Sequence, residues 1–451
     1  MTFNRLERTS LYAIIVVSPL LLGSNRPLFW ILNSLLASLC LIGFAVSEWN
    51  QRNRSRVTWR VPVLVISVLG VSLVWMALQA MPEMPLWARH PVWGGASAIL
   101  PISGSISLAP RLTLTAIAWA APLSIFVSAF RRGTSLRDVD FVLQLMLGMI
   151  CLVMAFGVTA EAMDLDTVGL SRKAYYQGWL TGTFVNRNTA AAFFAVGLCV
   201  ALALMVDWKG GAGSQRNHSW FGSRKALFAL VAALLWSGVL LSGSRGGAIA
   251  AASGATAILV VGLLPGSAPG RRKVRWIVPI LALALVVGLV AMLRRSNDAV
   301  DSNSTRLSLY REALEAIAQR PLLGHGSGTY EIVQPLYHAA DTPSHFVWNH
   351  AHSGVLELAA GNGVPAALLV VCTYLGLVLY LGWAASQRGS PRCAILAGFG
   401  AMIAAGVHAI IDFSLQTQSV ALYVAIVAGL GAGQSASGHL YRGRTVSKAL
   451  S

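Results

Sequence analysis

Three arginines stand out as residues whose type and setting suit chemistry on an anion. Arg187 and Arg245 lie at the predicted ends of apolar segments, and Arg306 lies in the longest polar segment. A guanidinium stays charged and presents paired donors, which fits a phosphate group. Each arginine alone could equally be one that snorkels to a membrane interface. Three of them on one side of a membrane favour an anion-binding site.

Two histidines at the end of the same polar segment are candidates for proton transfer. His350 and His352 flank Ala351, just before Ser353. A neutral imidazole near pH 7 can accept a proton from a hydroxyl group, so either is a candidate general base. Metal binding by this pair with Glu357 is the competing interpretation. We predict no metal and no cofactor, because the chain lacks a His-Glu-x-x-His pattern and its five cysteines lie in apolar segments without metal-ligand spacing.

An ionisable pair is predicted inside an apolar segment. His408 and Asp412 are spaced to share one helix face. Ionisable groups within a membrane helix are costly and usually have a partner or a function. We expect Asp412 to anchor one of the arginines. The tryptophans near the ends of apolar segments fit an interfacial aromatic belt and need no ligand: Trp87, Trp93, Trp179 and Trp348.

The composition indicates how these residues are positioned. Of the 451 residues, 55% are hydrophobic and 11% are charged, whereas a soluble domain carries about 25% charged residues. Apolar runs of roughly 20 residues predict an all-α, polytopic membrane protein. The net charge of +17 is explained by membrane topology, so no nucleic acid is predicted as a partner.

Hydropathy predicts about twelve transmembrane helices. The predicted spans are 10–24, 27–47, 61–81, 111–130, 139–160, 188–207, 226–243, 246–265, 276–293, 354–383, 393–412 and 418–437. With both termini in the cytoplasm, most of the 34 lysines and arginines fall in cytoplasmic loops, as the positive-inside rule requires. Residues 1–451 then form a single integral membrane domain, and a large loop, 294–353, faces the other side.

The large loop is predicted to contain a short helix. Apolar residues at helical spacing place it from Ser304 to Gln319, and Pro321 would end it. Arg306 would then lie in the first turn, where the helix dipole opposes a cation. An anion bound beside that N-terminus would reverse the sign of this effect.

The chain resembles the O-antigen ligase and O-antigen polymerase superfamily of bacterial membrane glycosyltransferases. The resemblance covers roughly residues 180–415, and the motifs occur in the order and spacing of that family. The matching stretches are Gly182 to Asn188, Ser244 to Gly247, Arg306 with Leu309 to Arg311, Pro321 to Gly326, His350 to Ser353 with Leu356 to Leu358, and His408 to Phe413. Ser353 and Gly354 stand where the family commonly has Asn and then Asp, and Ala366 replaces a glycine of the ligase pattern, so the subfamily stays open.

The resemblance implies a GT-C-like fold and an inverting, metal-independent glycan transfer from undecaprenyl diphosphate to an acceptor sugar. Arg245 and Arg306, together with Arg187 and Arg311, would bind the diphosphate and stabilise the leaving group. His352 would act as general base. The substrate-binding set is completed by Asn186, His350 and Asp412. The site would be periplasmic, in a multi-pass protein of the inner membrane that takes part in cell-envelope lipopolysaccharide or exopolysaccharide synthesis.

The partners implied by the resemblance are the lipid-linked donor, a saccharide or lipid A core acceptor, and membrane lipid. A chain-length regulator and a flippase are expected neighbours by analogy alone. Ligase, O-antigen or exopolysaccharide polymerase, and protein-glycosylating ligase stay open. A lipid-linked glycan flippase is the alternative from another class, although the chain shows no internal repeat. A peptidoglycan-type polymerase is a third, although its acidic catalytic residue has no clear equivalent.

Overall fold

The computed structural model describes residues 2–50, 59–99, 103–169, 171–207, 218–263, 299–343, 346–387 and 392–449. These residues are mostly helical, and the two short strands among them, β1 (Thr167–Val168) and β2 (Ser171–Arg172), pair as an antiparallel hairpin. Ten of the described helices are long and apolar enough to cross a membrane. The predicted all-α, polytopic fold is therefore confirmed.

The α-helices, in chain order, are α1 Thr2–Leu20, α2 Pro27–Trp49, α3 Arg60–Ala80, α4 Val92–Ser97, α5 Pro110–Thr115, α6 Ala120–Gly133, α7 Leu136–Ala162, α8 Arg187–Asp207, α9 His218–Leu241, α10 Arg245–Leu263, α11 Ala299–Gln319, α12 Tyr330–Val333, α13 Gly354–Asn362, α14 Val364–Ser386, α15 Cys393–Ile411 and α16 Gln418–Ala449. Short 3-10 helices lie at Leu22–Ser24, Ala116–Trp119, Gln334–Tyr337 and Ser414–Gln416. The second of these joins α5 to α6 in one candidate span, Pro110–Gly133.

Three predicted spans differ from the structure or fall outside it. The first, 10–24, lies on α1, which is helical but is not among the ten candidate spans because polar residues fill its first turns. The ninth, 276–293, lies outside the described residues. The tenth, 354–383, is wrong as a single helix, because it divides at Gly363 into α13 and α14.

Gly363 divides the tenth span because its backbone conformation and its surroundings both require glycine. Its φ of 82° is in the left-handed region, and a Cβ there would lie 2.3 Å from the carbonyl oxygen of Leu322. The chain therefore turns at Gly363, and α13 packs against α11 as well as α14. As a result, α13 belongs with α11 to a layer of helices that lies over one end of the bundle.

Helix α8 is the centre of the bundle. Every residue of it from Asn188 to Asp207 is buried, and it packs against α9, α10 and α15. A helix that is apolar on all sides is expected in the core of a large helical assembly. Its first residue, Arg187, therefore lies in the middle of one end of the bundle.

Close packing of α10 on α15 brings two further segments to that end. A Cβ on Gly254 would lie 2.5 Å from the carbonyl oxygen of Gly400, so the two backbones meet directly, as small residues allow in membrane helices. At the end of this contact, Gly246 of α10 packs on Ile411, the last residue of α15. The start of α10 and the end of α15 are thereby fixed beside the start of α8.

Helix α11 lies over this end of the bundle, and it begins earlier than predicted. It starts at Ala299, so residues 302–304 lie within the helix and Arg306 lies about two turns from its start. The interpretation of Arg306 as a first-turn residue opposed by the helix dipole is therefore wrong. The predicted end at Gln319 is confirmed. The loop residues 294–298 and 344–345 lie outside the described part.

A buried histidine pair joins the segment after α3 to the layer that contains α11. Nε2 of His90 lies 2.9 Å from Nδ1 of His325, whose Nε2 is 2.9 Å from the carbonyl oxygen of Ala316. Nδ1 of His90 accepts from the backbone N–H of Val92 at 3.3 Å. With each ring donating once and accepting once, the chain of hydrogen bonds is satisfied only when both histidines are neutral.

This pair predicts acid sensitivity of the outer layer. Burial, the neighbouring His325 and the Arg320 guanidinium lower the pKa of His90 to about 3, and burial lowers the pKa of His325. The stabilisation is therefore complete above about pH 6.5 and is lost as pH falls towards the folded pKa, by up to about 1.4 kcal/mol per pH unit for each proton. Thermal unfolding of the purified protein between pH 7.5 and 4.5 measures this loss. His90→Gln should flatten the dependence, and an unchanged slope in that variant would contradict the role of the pair.

Candidate functional site

One buried carboxylate connects the elements at this end of the bundle. Asp412, directly after α15, accepts a hydrogen bond from Nδ2 of Asn188 at 2.5 Å and one from the backbone N–H of Phe413 at 2.7 Å. Nη2 of Arg306 lies 3.6 Å from the same carboxylate, and Nδ1 of His352 lies 3.9 Å from it. Asp412 therefore holds together α8, α11 and the turn before α13.

His352 occupies a strained backbone position beside that carboxylate. Its φ is 51°, a left-handed conformation that costs a non-glycine residue on the order of 1 kcal/mol. The Tyr310 hydroxyl donates to its carbonyl oxygen at 3.0 Å. Its Nδ1 is buried and makes no hydrogen bond within the described part of the chain. Burial lowers the pKa of His352, Asp412 opposes this shift, and Arg306 and His350 add to it. The ring is therefore neutral near pH 7.

His350 lies in the same cluster but has a different partner. Its Nδ1 is 3.1 Å from Oε1 of Glu357, and its ring stacks on Phe413 with centroids 4.0 Å apart. Burial disfavours the charged form, yet Glu357, Asp412 and Gln416 together outweigh it and raise the pKa of His350. Glu357 also accepts from the backbone N–H of Ala351 at 3.0 Å. The pKa values of the two histidines are thus shifted in opposite directions, and His352 is the one whose neutral form is favoured.

Arg187 begins α8, and aromatic rings surround its guanidinium. Its Cζ lies 4.8 Å from the ring centre of Trp179 and 5.4 Å from that of Tyr176. The preceding residue, Asn186, accepts from the backbone N–H of Asn188 at 2.7 Å. This contact caps α8. Asn186, predicted to bind substrate, is therefore engaged with the backbone in the structure.

Arg245 begins α10 in the same way. Ser244 precedes it and accepts from the backbone N–H of Gly247 at 3.0 Å, which caps the helix. Gly243, with φ 68°, turns the chain between α9 and α10, and a Cβ there would lie 2.2 Å from the ring of Trp179. The same indole therefore contacts the turn that leads into Arg245 and the guanidinium of Arg187.

The three arginines share one electrostatic environment. Arg306 and Arg245 both lie within electrostatic range of Arg187. Burial raises the pKa of the Tyr176 phenol, and the charges that act on it are those of Asp412, Arg187 and Arg306. Guanidinium groups clustered at this end of the bundle suit an anionic ligand.

Arg311 does not join this cluster in the structure. It lies on α11 five residues after Arg306, which places it about 140° around the helix axis. Its Nη1 is 3.7 Å from Asp341, and both side chains are mostly exposed. The structure thus brings together Arg187, Arg245, Arg306, His350, His352 and Asp412, and it directs Arg311 elsewhere.

Three residues that lie in this cluster are not among those predicted from the sequence to form the site. Asn188 is buried and bonds Asp412, Tyr176 lies against Arg187, and Trp179 contacts both Arg187 and Gly243. The interpretation of Trp179 as an interfacial tryptophan does not describe these contacts. A polar amide at the start of an apolar helix is the feature of the sequence that could have indicated Asn188.

The described residues contain no group of three or more His, Cys, Asp or Glu side chains arranged to hold a metal ion. The cluster consists instead of guanidinium groups, carboxylates and imidazole rings. Such a set can bind an anionic leaving group and accept a proton from a hydroxyl nucleophile.

One region of the chain matches a known protein family. Residues 229–371 match the family model described as O-antigen ligase, a region that includes Arg245, Arg306, His350 and His352. No curated protein sequence matches the chain significantly. Residues 229–371 therefore resemble an O-antigen ligase domain, which supports a relationship of the chain to the O-antigen ligase and polymerase superfamily of membrane glycosyltransferases.

Proposed function

We propose that the protein transfers a glycan from undecaprenyl diphosphate to a hydroxyl group of an acceptor sugar, with inversion at the anomeric carbon. The observation that carries this proposal is one shared carboxylate. Asp412 lies 3.6 Å from Arg306 and 3.9 Å from His352, so a cation for the leaving group and a neutral base are held side by side. A transferase that displaces a diphosphate with a hydroxyl group needs both.

The arginines act on the donor. Arg187, Arg245 and Arg306 bind the diphosphate through charge-assisted hydrogen bonds. As the bond between the anomeric carbon and the diphosphate oxygen breaks, negative charge grows on that oxygen. Guanidinium groups already in place stabilise this charge more than the ground state, which lowers the barrier.

His352 acts on the acceptor. The acceptor hydroxyl oxygen forms the new bond to the anomeric carbon from the face opposite the diphosphate, and its proton passes to the imidazole. Because Nδ1 is buried towards Asp412, Nε2 is the nitrogen that meets the acceptor. The imidazolium that results is stabilised by Asp412, and undecaprenyl diphosphate leaves with the electron pair.

The proposal places the site at the periplasmic face of the inner membrane, with both termini in the cytoplasm. The segments at the end of the bundle opposite the site carry many of the basic residues, including Arg131 and Arg132 at the end of α6. An excess of arginine and lysine marks the cytoplasmic side of a membrane protein. Labelling of single cysteines introduced into the α8 start and the α6 end would test this orientation.

A purified-protein assay tests the activity and its class. The protein, in lipid nanodiscs with EDTA, is supplied with a lipid-linked repeat unit, alone or with lipid A core. Longer lipid-linked chains from the donor alone indicate a polymerase, and glycan on lipid A core indicates a ligase. Absence of product in both reactions, from protein that binds the donor, would overturn the proposal and favour a lipid-linked glycan transporter. Activity that requires a divalent metal would contradict the proposed metal independence.

A further inference from the structure

The segment Lys173–Leu180 contacts two helix starts that carry predicted donor-binding arginines. We call it the aromatic strap, because it contains Tyr176 and Trp179. It runs from the β1–β2 hairpin towards α8. At this end of the bundle it lies between the start of α8 and the turn before α10.

The strap is firmly attached at its ends. The Lys173 ammonium group is buried, pairs with Glu161 of α7 and donates to the carbonyl oxygen of Trp179 at 3.0 Å. The backbone N–H of Leu180 donates to the carbonyl oxygen of Leu241, the last residue of α9, at 3.2 Å. The position of the Trp179 ring is therefore set by α7 and α9, independently of Arg187.

The ring in turn fixes two neighbours. It packs so tightly on Gly243 that any Cβ there would overlap it, and it lies 4.8 Å from Cζ of Arg187. Tyr176 supplies a second ring at 5.4 Å, from a backbone with φ 63° that a tyrosine rarely adopts. Strain of this kind persists where the surrounding structure imposes it, and it is frequent at functional sites.

An aromatic ring that contacts the face of a guanidinium leaves its in-plane N–H groups available for hydrogen bonds. A ring over the guanidinium plane attracts the charge but accepts none of the in-plane N–H groups. Nε of Arg187 is buried and has no hydrogen-bond partner within the described residues. A buried donor without an acceptor is costly, and an oxygen of a bound phosphate would satisfy it.

We infer that Tyr176 and Trp179 are positioning residues for the transfer: the aromatic strap holds the Arg187 guanidinium, and through Gly243 the start of the Arg245 helix, in the orientation that binds the donor diphosphate. The inference rests on the proposed function. Neither aromatic ring needs to touch the reacting atoms, because each acts through an arginine.

Steady-state transfer kinetics of purified variants test the inference. Trp179→Leu should raise the donor KM about 5- to 30-fold, the range expected for loss of a desolvated cation–π contact, and leave the acceptor KM unchanged. Trp179→Phe, which keeps an aromatic face, should recover most of the donor affinity. Trp87→Leu is the matched control, because Trp87 is 79% exposed, and it should leave both constants unchanged.

A double-mutant cycle separates positioning from general packing. In an Arg187→Ala background, Trp179→Leu should have little further effect on the donor KM, because both changes remove the same oriented guanidinium. An equal effect in both backgrounds would overturn the inference, and so would loss of thermal stability without a change in donor KM. If Arg187→Ala leaves donor KM unchanged, the role of Arg187 in the proposed function fails first. Displacement of bound donor by farnesyl diphosphate gives the same comparison of donor binding between the variants, without catalytic turnover.

Discussion

Replacement of His352 by alanine is expected to lower the turnover number for glycan transfer by about 10²- to 10⁴-fold, the usual contribution of a positioned general base. The donor KM should change little, since the arginines that bind the diphosphate are untouched. Transfer kinetics at saturating donor and acceptor measure the effect. His338→Ala is the matched control, because His338 is also a histidine of the loop but contacts Gln334 and Glu312. Full activity of a well-folded H352A variant would exclude His352 as the base.

The pH dependence of the transfer rate tests the role of His352 as general base independently of its replacement. Transfer requires the neutral ring, so the rate should fall only when pH drops below the ordinary histidine pKa of about 6.5, because burial lowers the pKa of His352. Arg306 lowers that pKa further and Asp412 raises it. The acid limb of the residual activity should therefore move to higher pH in Arg306→Gln and to lower pH in Asp412→Asn. Equal positions of the limb in the two variants would show that another group controls it.

Hydropathy predicted the bundle well because a membrane helix must be apolar over roughly 20 residues, whatever it contacts. The hydropathy prediction failed at Gly363, because hydropathy averaged over roughly 20 residues hides the effect of a single glycine. It also placed a span on α1, whose C-terminal half is apolar enough but whose first turns hold buried polar residues such as Glu7. Glu7 pairs with Arg131 and Arg132 of α6, and a pairing across distant segments is invisible to a local average.

The start of α11 shows the limit of local signals. Serine and asparagine at 302–304 are favourable N-cap residues, yet the helix continues back to Ala299. Capping preference is worth about 1 kcal/mol, which is too little to fix a helix start by itself. Because Arg306 lies within the helix and not at its N-terminus, the anion site predicted at the helix start is not formed there.

The residues of the site were easier to predict than their grouping. Arginines and histidines in a hydrophobic chain are conspicuous by type, whereas Asn188 is an ordinary amide until Asp412 is placed 2.5 Å from it. Helical periodicity alone predicts that two of the proposed donor-binding arginines point in different directions. Arg306 and Arg311 cannot face the same way on one helix, and the structure directs them to Asp412 and Asp341 respectively.

Those two arginines give the sharpest test of the site on α11. Arg306→Ala should lower kcat/KM for the donor by about 10²- to 10³-fold, the usual cost of removing one preorganised group that stabilises developing charge. Part of the loss should appear in the turnover number, because the interaction strengthens as the diphosphate leaves. Arg306→Lys should recover only a fraction, since an ammonium group cannot present paired donors.

Arg311→Ala is the control for Arg306→Ala, with the same change of charge on the same helix. The Arg311 side chain is 62% exposed and pairs with the exposed carboxylate of Asp341, a contact of the kind that contributes little to stability. Its loss should therefore change kcat/KM less than about threefold, within the effect of a single surface charge on donor attraction. Similar losses in both variants would mean that the helix contributes only its net charge. A large loss in Arg311→Ala alone would reverse the assignment and require α11 to rotate when the donor binds.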